Sequence, residues 1–285
     1  MKRSIKYIIF YDSPGQMCNR FWSYIDSVAW AIENGGKIIV LFWDKSIKDF
    51  DNLRKNPYII FPFYSDYMIK LFGENKYLNF LKRVMINKYA RYIYRNFLVK
   101  YVHAVKSYDL HNEHQYYPAN LSKIKDLFLP NKEHRIEIDK KFSHLKKMNK
   151  TIIGVHVRRG DYANWRGGKY YYTKEEYINF IKQTSEIFED QNIVFYISSN
   201  EDISAWFATS KYQLCDILEN SAAKDLYALS KCDYILGPPS TFSRWASLMG
   251  HVPIYQIWDK EERIQLNSFS PLKYLDERED GLKYI

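Results

Sequence analysis

The chain has 285 residues, enough for two ordinary domains, and its 46% hydrophobic content excludes a disordered protein. A formal net charge of +9 favours an anionic partner such as a phosphate ligand, a nucleic acid or a membrane surface. Three dispersed cysteines argue against a disulfide framework and are typical of a reducing compartment, while no apolar run approaches the ~20 residues that span a bilayer.

Strand and helix patterns alternate from the start of the chain. The apolar run at 6–11 is short and polar at its end, which predicts a first strand and not a signal peptide. A helix is predicted over 21–33, where a Gly-Gly pair ends it, and a second strand over 37–43. The stretch 58–114 is aromatic and basic, and its pattern indicates helix. Such alternation is typical of a parallel sheet.

The second half alternates more clearly. It contains predicted strands at 151–157, 192–199, 233–237 and 252–258, and predicted helices at 173–188, 201–209, 222–232 and 241–250. A polar segment without periodicity precedes residue 151, so we predict domains at 1–145 and 146–285. The expected architecture is α/β, with two Rossmann-like domains facing each other across a cleft and with the option that the last helix packs back on the first domain.

Two adjacent arginines follow the strand at 151–157. Ligands of open α/β sheets bind at the carboxyl ends of the strands, and guanidinium groups bind phosphate oxygens bidentately. Arg158 and Arg159 are therefore candidates for phosphate binding, with Asp161 placed to orient one of them. The alternative is a structural ion pair with Asp161, and this short pattern does not separate the two.

A second strand end in the same half carries hydroxyl groups. A Gly-Pro-Pro turn leads from the strand at 233–237 to Ser240 and Thr241, which open a predicted helix. A helix N-terminus offers free N–H groups and a positive dipole end to an anion, although capping is the commoner use of such hydroxyls. Two phosphate-compatible strand ends together indicate a diphosphate ligand.

The first loop, SPGQMCNR, places Asn19 and Arg20 at the start of a helix and near the end of the first strand. A capped loop without a ligand is a strong alternative here. The glycine spacing fits neither the dinucleotide fingerprint nor a P-loop, which disfavours ordinary dinucleotide or ATP binding.

Four segments in chain order resemble a known family. HVRRGDY at 156–162 is similar to the HxRRxD motif of α-1,2-fucosyltransferases, glycosyltransferase family 11, which α-1,6- and protein O-fucosyltransferases share. The segments at 14–31, 195–206 and 225–250 resemble three further family blocks, whereas 45–150 does not. The chain departs from the family pattern at Arg20, Pro239 and Arg244.

This resemblance implies a GT-B fold, GDP-fucose as donor, and inversion at the anomeric carbon without a metal or other cofactor. Arg158 and Arg159 would hold the diphosphate and stabilise the departing GDP, with Asp161 in the catalytic set. A base for the acceptor hydroxyl stays open among Asp161, Glu175 and Glu176. The other implied binding residues are His156 and Asp225 near the nucleoside, Ser240 and Thr241 on phosphate oxygens, and Asn19 and Arg20 towards the sugar or acceptor.

The predicted activity is therefore transfer of fucose to a galactose-type hydroxyl of an oligosaccharide acceptor, in α-1,2 linkage. We expect a cytoplasmic enzyme of bacterial surface-polysaccharide biosynthesis with no nucleic-acid partner. A sugar-nucleotide binder without catalysis is one alternative. Asp49-Phe50-Asp51 spells the Asp-x-Asp of metal-dependent transferases, but with only two carboxylates in a polar stretch we expect a solvated loop and not a metal site.

The segment 81–106 has seven basic residues, five aromatic residues and no acid. As an amphipathic helix it suits peripheral contact with the inner face of the membrane, or RNA binding in a protein of a different class. The commoner role of such a helix is to cover a sheet and expose its basic face to solvent.

Overall fold

The computed structural model of the protein divides into two compact units, Met1–Asn131 and Lys132–Ile285. The division falls ahead of the predicted boundary at 145/146, because the helix that begins at Lys132 packs within the second unit, where the Phe142 ring lies 5.8 Å from that of Tyr196. The described residues are 6–12, 14–41, 43, 45–62, 71–73, 76, 79–80, 83, 87–93, 95–96, 102–106, 116–189, 191–207, 211–215 and 221–272.

The first unit contains a parallel sheet of four strands in the order β3-β2-β1-β4. Its strands are β1 (Tyr7–Phe10), β2 (Lys37–Val40), β3 (Ile59–Ile60) and β4 (Val102–Val105). β1 lies at the centre between β2 and β4, and its Ile8 and Phe10 side chains are fully buried. This parallel arrangement confirms the alternation predicted for 6–43.

The main helix of this unit, α1 (Met17–Asn34), begins four residues before the predicted start at 21 and ends at Gly35 in a left-handed conformation. Shorter helices are α2 (Asp51–Arg54), α3 (Lys88–Ile93) and α4 (Leu121–Leu127), with 3-10 turns at Lys45–Asp49 and Pro118–Asn120. The prediction of a solvated loop around Asp49 and Asp51 is wrong. Asp49 ends a 3-10 turn, Asp51 begins α2, and the Phe50 side chain between them is fully buried.

The single helix assumed over 81–106 is also wrong at its carboxyl end. Val102–Val105 forms β4, which pairs in parallel with β1. β-branched residues at both ends of this strand suit a pleated surface, and pairing with a buried strand outweighs the helical pattern of the preceding residues. Within the segment, α3 is helical, and many of the remaining residues lie outside the described part of the chain.

The second unit contains a sheet of five strands in the order β6-β5-β7-β8-β9. The predicted strands are confirmed as β5 (Thr151–Val157), β6 (Ile193–Ser199), β7 (Tyr234–Gly237) and β8 (Pro253–Gln256), all parallel. A fifth strand, β9 (Ser270–Pro271), was not predicted and pairs antiparallel with β8. β5 is buried on both faces, as central strands of parallel sheets are.

The helices of this unit are α5 (Lys132–Lys147), α6 (Lys174–Ile187), α7 (Ser204–Phe207), α8 (Ala222–Leu229) and α9 (Thr241–Gly250), with 3-10 turns at Gly160–Ala163, Trp165–Gly168 and Leu266–Ser268. Gly154 lets α8 approach the sheet, since a Cβ there would lie 2.7 Å from Leu229 Cδ2. Among the described residues, no helix has both the length and the apolar character needed to cross a bilayer. We predicted that a last helix could pack back on the first domain. The residues after 272, which this prediction concerns, lie outside the described part of the chain.

Candidate functional site

Three neighbouring strands of the second sheet deliver polar residues to one edge. In the parallel register, Val157 of β5 lies opposite Ser199 of β6, and Val155 lies opposite Leu236 of β7. The segments that follow these strands therefore emerge side by side at the carboxyl edge, where α/β sheets bind ligands. Gly237 makes this close approach possible, because a Cβ there would lie 2.6 Å from the His156 carbonyl oxygen.

Arg158 is held in place from several sides. Its Nη2 lies 2.8 Å from Asp161 Oδ1 and 2.9 Å from Oδ2, and its backbone N–H donates to Tyr177 Oη at 3.1 Å. Its guanidinium carbon lies 5.5 Å from the centroid of the Tyr162 ring. The Asp161 carboxylate on one guanidinium nitrogen and the Tyr162 ring beside the group hold this cation in position.

Tyr162 connects this arginine to the start of α9. The Tyr162 ring lies against the Arg158 guanidinium, and the buried Tyr162 hydroxyl donates to the Pro239 carbonyl at 2.6 Å. The next residue, Ser240, is the N-cap of α9, and its Oγ accepts from the Phe242 N–H at 3.2 Å. Thr241 follows as the first helical residue and is partly exposed. The cation and the positive end of this helix therefore share one edge of the sheet.

Arg159 has a different environment from Arg158. Its guanidinium carbon lies 3.9 Å from the Tyr171 ring centroid and 5.3 Å from that of Trp206. Its Nη1 donates to the Tyr172 carbonyl at 2.8 Å, and its Nε lies 3.5 Å from Glu201 Oε2. These contacts hold the Arg159 guanidinium in the protein, and its side chain is exposed to nearly the same extent as that of Arg158, at 16% and 14%.

His156 is almost fully buried on the strand that leads to the arginines. Burial, with the nearby charge of Arg158, lowers its pKa from 6.5 to about 3, so the imidazole is neutral at physiological pH. Its ring centroid lies 5.2 Å from that of Phe242, and its Nδ1 is buried without a hydrogen-bond partner among the described residues. A buried polar atom of this kind is suited to receive a ligand.

Asp225 lies in the first turn of α8 and is 6% exposed. Tyr196 Oη donates to its Oδ1 at 2.7 Å and Ser198 Oγ to its Oδ2 at 2.9 Å, both from β6. Burial raises its pKa from 3.8 to about 6, against the effect of these two hydrogen bonds. Each carboxylate oxygen retains a lone pair that can accept from a further donor.

Asn19 and Arg20 lie in the first turn of α1 and therefore in the first unit. Gly15, with a φ of +46°, gives space to Asn19, because a Cβ on Gly15 would lie 2.1 Å from Asn19 Nδ2. Arg20 is 7% exposed, donates from Nε to the Gly15 carbonyl at 3.3 Å and lies 5.8 Å from the Trp43 ring centroid. The other predicted site residues belong to the second unit, so the two sets are separated by unit.

A sequence model described as glycosyl transferase family 11 matches residues 55–260, well over half of the chain. The chain belongs to glycosyl transferase family 11. The predicted family is thereby confirmed, and a glycosyltransferase is favoured over an RNA-binding protein. The match includes residues 55–150, so the expectation that 45–150 does not resemble the family is wrong there.

Solved structures show the fold of this family 11 protein. NodZ fucosyltransferase from Bradyrhizobium is 15% identical with a TM-score of 0.54, covering 89% of this chain and 96% of its own. POFUT1 in complex with GDP-fucose is 10% identical with a TM-score of 0.52, covering 92% and 97%. An Arabidopsis thaliana FUT1 mutant in complex with GDP is 12% identical with a TM-score of 0.55, covering 94% and 73%. No curated protein matches the chain. The predicted α/β fold with parallel sheets is confirmed.

Two of the three candidate bases in this family 11 protein have structural partners. Glu176 completes the capping box of α6 with Thr173 and accepts from Lys260 Nζ at 2.6 Å. Although burial opposes the shift, these contacts hold the pKa of Glu176 below its ordinary value. Asp161 is paired with Arg158. Glu175 is exposed in the first turn of α6.

The departures at Pro239 and Arg244 have structural consequences of different kinds. The Pro239 carbonyl accepts the Tyr162 hydroxyl, so the site uses the backbone of this position. Arg244 is 1% exposed, and its Nε donates to Gln256 Oε1 at 2.8 Å. We therefore place Arg244 in the packing of α9 against β8 and not on the surface that meets a ligand.

Sequence reasoning missed the aromatic and hydroxyl residues that hold the predicted site together. These are Tyr162, Tyr171, Tyr177, Tyr196, Ser198 and Trp206. The motif that ends at residue 162 and the segment at 195–206 were both recognised, so a signal existed for four of the six. The contact partners themselves are distant in sequence and follow from the strand register.

The raised pKa of Asp225 predicts a pH-dependent term in stability. Between its ordinary value of 3.8 and about 6, the folded protein holds a proton that the unfolded chain releases. This stabilising contribution is present below pH 3.8 and is lost as the pH rises through about 6, on the order of 3 kcal/mol in total. Urea denaturation of the wild type and of Asp225→Asn should show their free energies of unfolding diverge by this amount from pH 4 to 7. Parallel pH curves would contradict it.

Proposed function

We propose that this protein transfers fucose from GDP-fucose to a galactose-type hydroxyl of a surface glycan, in α-1,2 linkage and with inversion at the anomeric carbon. The observation that carries the proposal is that two positive groups share the carboxyl edge of a parallel sheet. These are the Arg158 guanidinium, held by Asp161, and the N-terminus of α9, which Tyr162 connects to it. Two similar structures support the proposal. NodZ was solved after soaking with GDP-fucose, and POFUT1 was solved in complex with GDP-fucose.

The proposed step breaks the bond between the anomeric carbon and the oxygen of the β-phosphate. The bonding pair stays with GDP, the acceptor oxygen forms the new bond from the opposite face, and the hydroxyl proton leaves to a base or to solvent. Negative charge grows on GDP in the transition state, so a cation already in position accelerates the step. Arg158 supplies that cation, and Ser240 and Thr241 with the N–H groups of α9 bind the phosphate oxygens.

The remaining predicted site residues receive supporting roles in this proposal. Asp161 positions Arg158, and Arg159 fixes the segment that follows β5 through its aromatic contacts. His156 and Asp225 bind the nucleoside, with the neutral imidazole as one partner and the carboxylate as an acceptor for guanine N–H groups. Asn19 and Arg20, which lie in the first unit, keep the role that the family resemblance implies, as residues that bind the sugar or the acceptor. No metal ion takes part.

Asp161→Asn tests whether this side chain is a positioning residue or the base. Loss of its charge should release the Arg158 guanidinium and lower kcat about 10- to 100-fold, the effect of a misplaced catalytic group. In the double variant with Arg158→Ala, the loss should equal that of Arg158→Ala alone, because both act through one cation. Rate measurements with saturating GDP-fucose on the four proteins decide it. Multiplicative losses, with a shifted acidic limb of the pH–rate profile, would instead identify a base.

The direct test of the proposed activity is an assay with GDP-fucose and a panel of galactosides, in EDTA. We expect a fucosylated product by mass spectrometry, with NMR spectra that show an α linkage to the galactose 2-hydroxyl. Binding of GDP-fucose without turnover across the panel would favour the catalytically silent binder. A product with another linkage would retain the family assignment and contradict the α-1,2 proposal.

A further inference from the structure

A loop rich in aromatic residues follows the two arginines. It spans residues 160–172 between β5 and α6 and includes the two 3-10 turns Gly160–Ala163 and Trp165–Gly168. We call this segment the aromatic loop. The proposed donor site uses its first residues, and Tyr171 and Tyr172 at its end contact Arg159, which leaves residues 163–170 without an assigned role.

The rings of the aromatic loop form a continuous series that starts at Arg158. The guanidinium lies 5.5 Å from the Tyr162 ring, and the Tyr162 and Trp165 centroids are 4.7 Å apart. Trp165 then lies 5.4 Å from Tyr170, whose ring is 5.7 Å from that of Trp258. Tyr162 and Tyr170 are buried, whereas Trp165 is partly exposed. The contacts therefore run from Arg158, the proposed phosphate-binding cation, through the buried Tyr162 ring to the partly exposed indole of Trp165.

The backbone that presents Trp165 is strained. Arg166 has φ and ψ of 49° and 42°, and Gly167 and Gly168 also have positive φ. A Cβ on Gly168 would lie 2.9 Å from the Ala163 carbonyl oxygen, so the turn tolerates only glycine there. A left-handed arginine is unfavourable and persists where surrounding contacts enforce it, which is characteristic of ligand-binding segments.

Exposed polar side chains flank the indole. Asn164, Arg166 and Lys169 are exposed, and the Arg166 guanidinium carbon lies 5.2 Å from the Trp165 ring centroid. The exposed part of the indole, beside several hydrogen-bond donors, matches a pyranose ring, which has a face of C–H groups and a rim of hydroxyls. A lipid surface would instead favour neighbouring exposed apolar side chains, and these three neighbours are polar.

We propose that Trp165, with Asn164, Arg166 and Lys169, forms the subsite for a sugar ring of the acceptor glycan. The inference rests on the proposed function and extends it to the acceptor. Two ring contacts separate Trp165 from Arg158, so a sugar on the indole lies near the leaving group without occupying the phosphate site. Trp165 is thus a specificity-determining residue, and the catalytic step remains with the donor site.

The test uses the whole protein and lactose as the probe acceptor. Trp165→Ala should raise KM for lactose about tenfold, equivalent to ~1.4 kcal/mol, while kcat and the Kd for GDP stay within about twofold. Trp165→Phe keeps an aromatic plane and should recover most of the affinity. Tyr212→Ala is the matched control, because Tyr212 is also partly exposed but packs on Phe195 of β6 outside the aromatic loop.

A second measurement covers the case in which lactose is not an acceptor. Binding of the GDP-loaded protein to an array of galactose-terminated glycans should be lost in Trp165→Ala and retained in Tyr212→Ala. An unchanged KM, equal array binding by Trp165→Ala, or no glycan binding by the wild type overturns the inference. The inference is also overturned if Trp165→Ala loses binding to anionic lipid vesicles while its KM for lactose is unchanged. Failure of the wild type to bind GDP would contradict the proposed function itself.

Discussion

Arg158→Ala is expected to lower kcat for fucose transfer about 10³-fold and to weaken GDP binding at least tenfold. A single preorganised donor to developing charge contributes about 10²–10³ in rate, and a cation on a transferred phosphate contributes as much or more. Arg158 is only 14% exposed and is oriented by Asp161 and Tyr162, so a flexible side chain elsewhere cannot replace it. Single-turnover rates and calorimetric GDP titrations measure the two losses.

A matched control for this variant lies in the first unit. Arg54 pairs with Asp51 at the same i,i+3 spacing and the same 2.8 Å distance as Arg158 with Asp161. Arg54→Ala should leave rate and GDP affinity unchanged. Arg158→Lys keeps the charge but not the two-pronged geometry, so only partial recovery is expected. Wild-type kcat in a folded Arg158→Ala protein would exclude Arg158 from the chemistry.

Gly237→Ala is expected to reduce stability by about 1–3 kcal/mol and GDP affinity more than tenfold. The added methyl would lie 2.6 Å from the His156 carbonyl oxygen, and a backbone atom cannot rotate away as a side chain can. β5 and β7 must therefore separate at their carboxyl ends, which moves Arg158 relative to Ser240. Chemical denaturation and GDP titration at a temperature where the variant is folded give the two values.

Gly154→Ala separates the effect on the site from the effect on packing. Its Cβ would lie 2.7 Å from Leu229 Cδ2, in the same sheet but against α8 and away from the carboxyl edge. It should also destabilise the protein, yet the folded fraction should bind GDP as the wild type does. Wild-type GDP affinity in Gly237→Ala would show that the spacing of β5 and β7 does not set the site.

Local patterns were sufficient to predict much of the second unit. Its parallel strands are buried apolar runs, and the start of α9 follows from Ser240 as a cap, a feature that depends on neighbouring residues alone. The placement of Arg158 at a strand end follows from the same local information. The extent of α1 was underestimated because its first turn has no acidic residue and no side-chain cap to mark it.

Features that depend on distant contacts were not predictable in this way. β4 lies in a basic, helix-like sequence and is defined by pairing with β1, more than 90 residues earlier in the chain. Arg158 and Arg159 are identical in type and adjacent, and their contact partners distinguish them: Asp161 and Tyr162 for Arg158, and Tyr171, Trp206 and Glu201 for Arg159. The different environments of the two arginines therefore follow only from tertiary structure.

The central claim is a guanosine diphosphate site that depends on Arg158. Calorimetric titration of the wild type with GDP, and with UDP, ADP and GMP as comparisons, tests it most directly, with Arg158→Ala titrated in parallel. We predict selective binding of GDP, weaker binding of GMP, and loss of the GDP signal in Arg158→Ala. Equal affinity for all four nucleotides, or GDP binding that Arg158→Ala leaves unchanged, would contradict the claim.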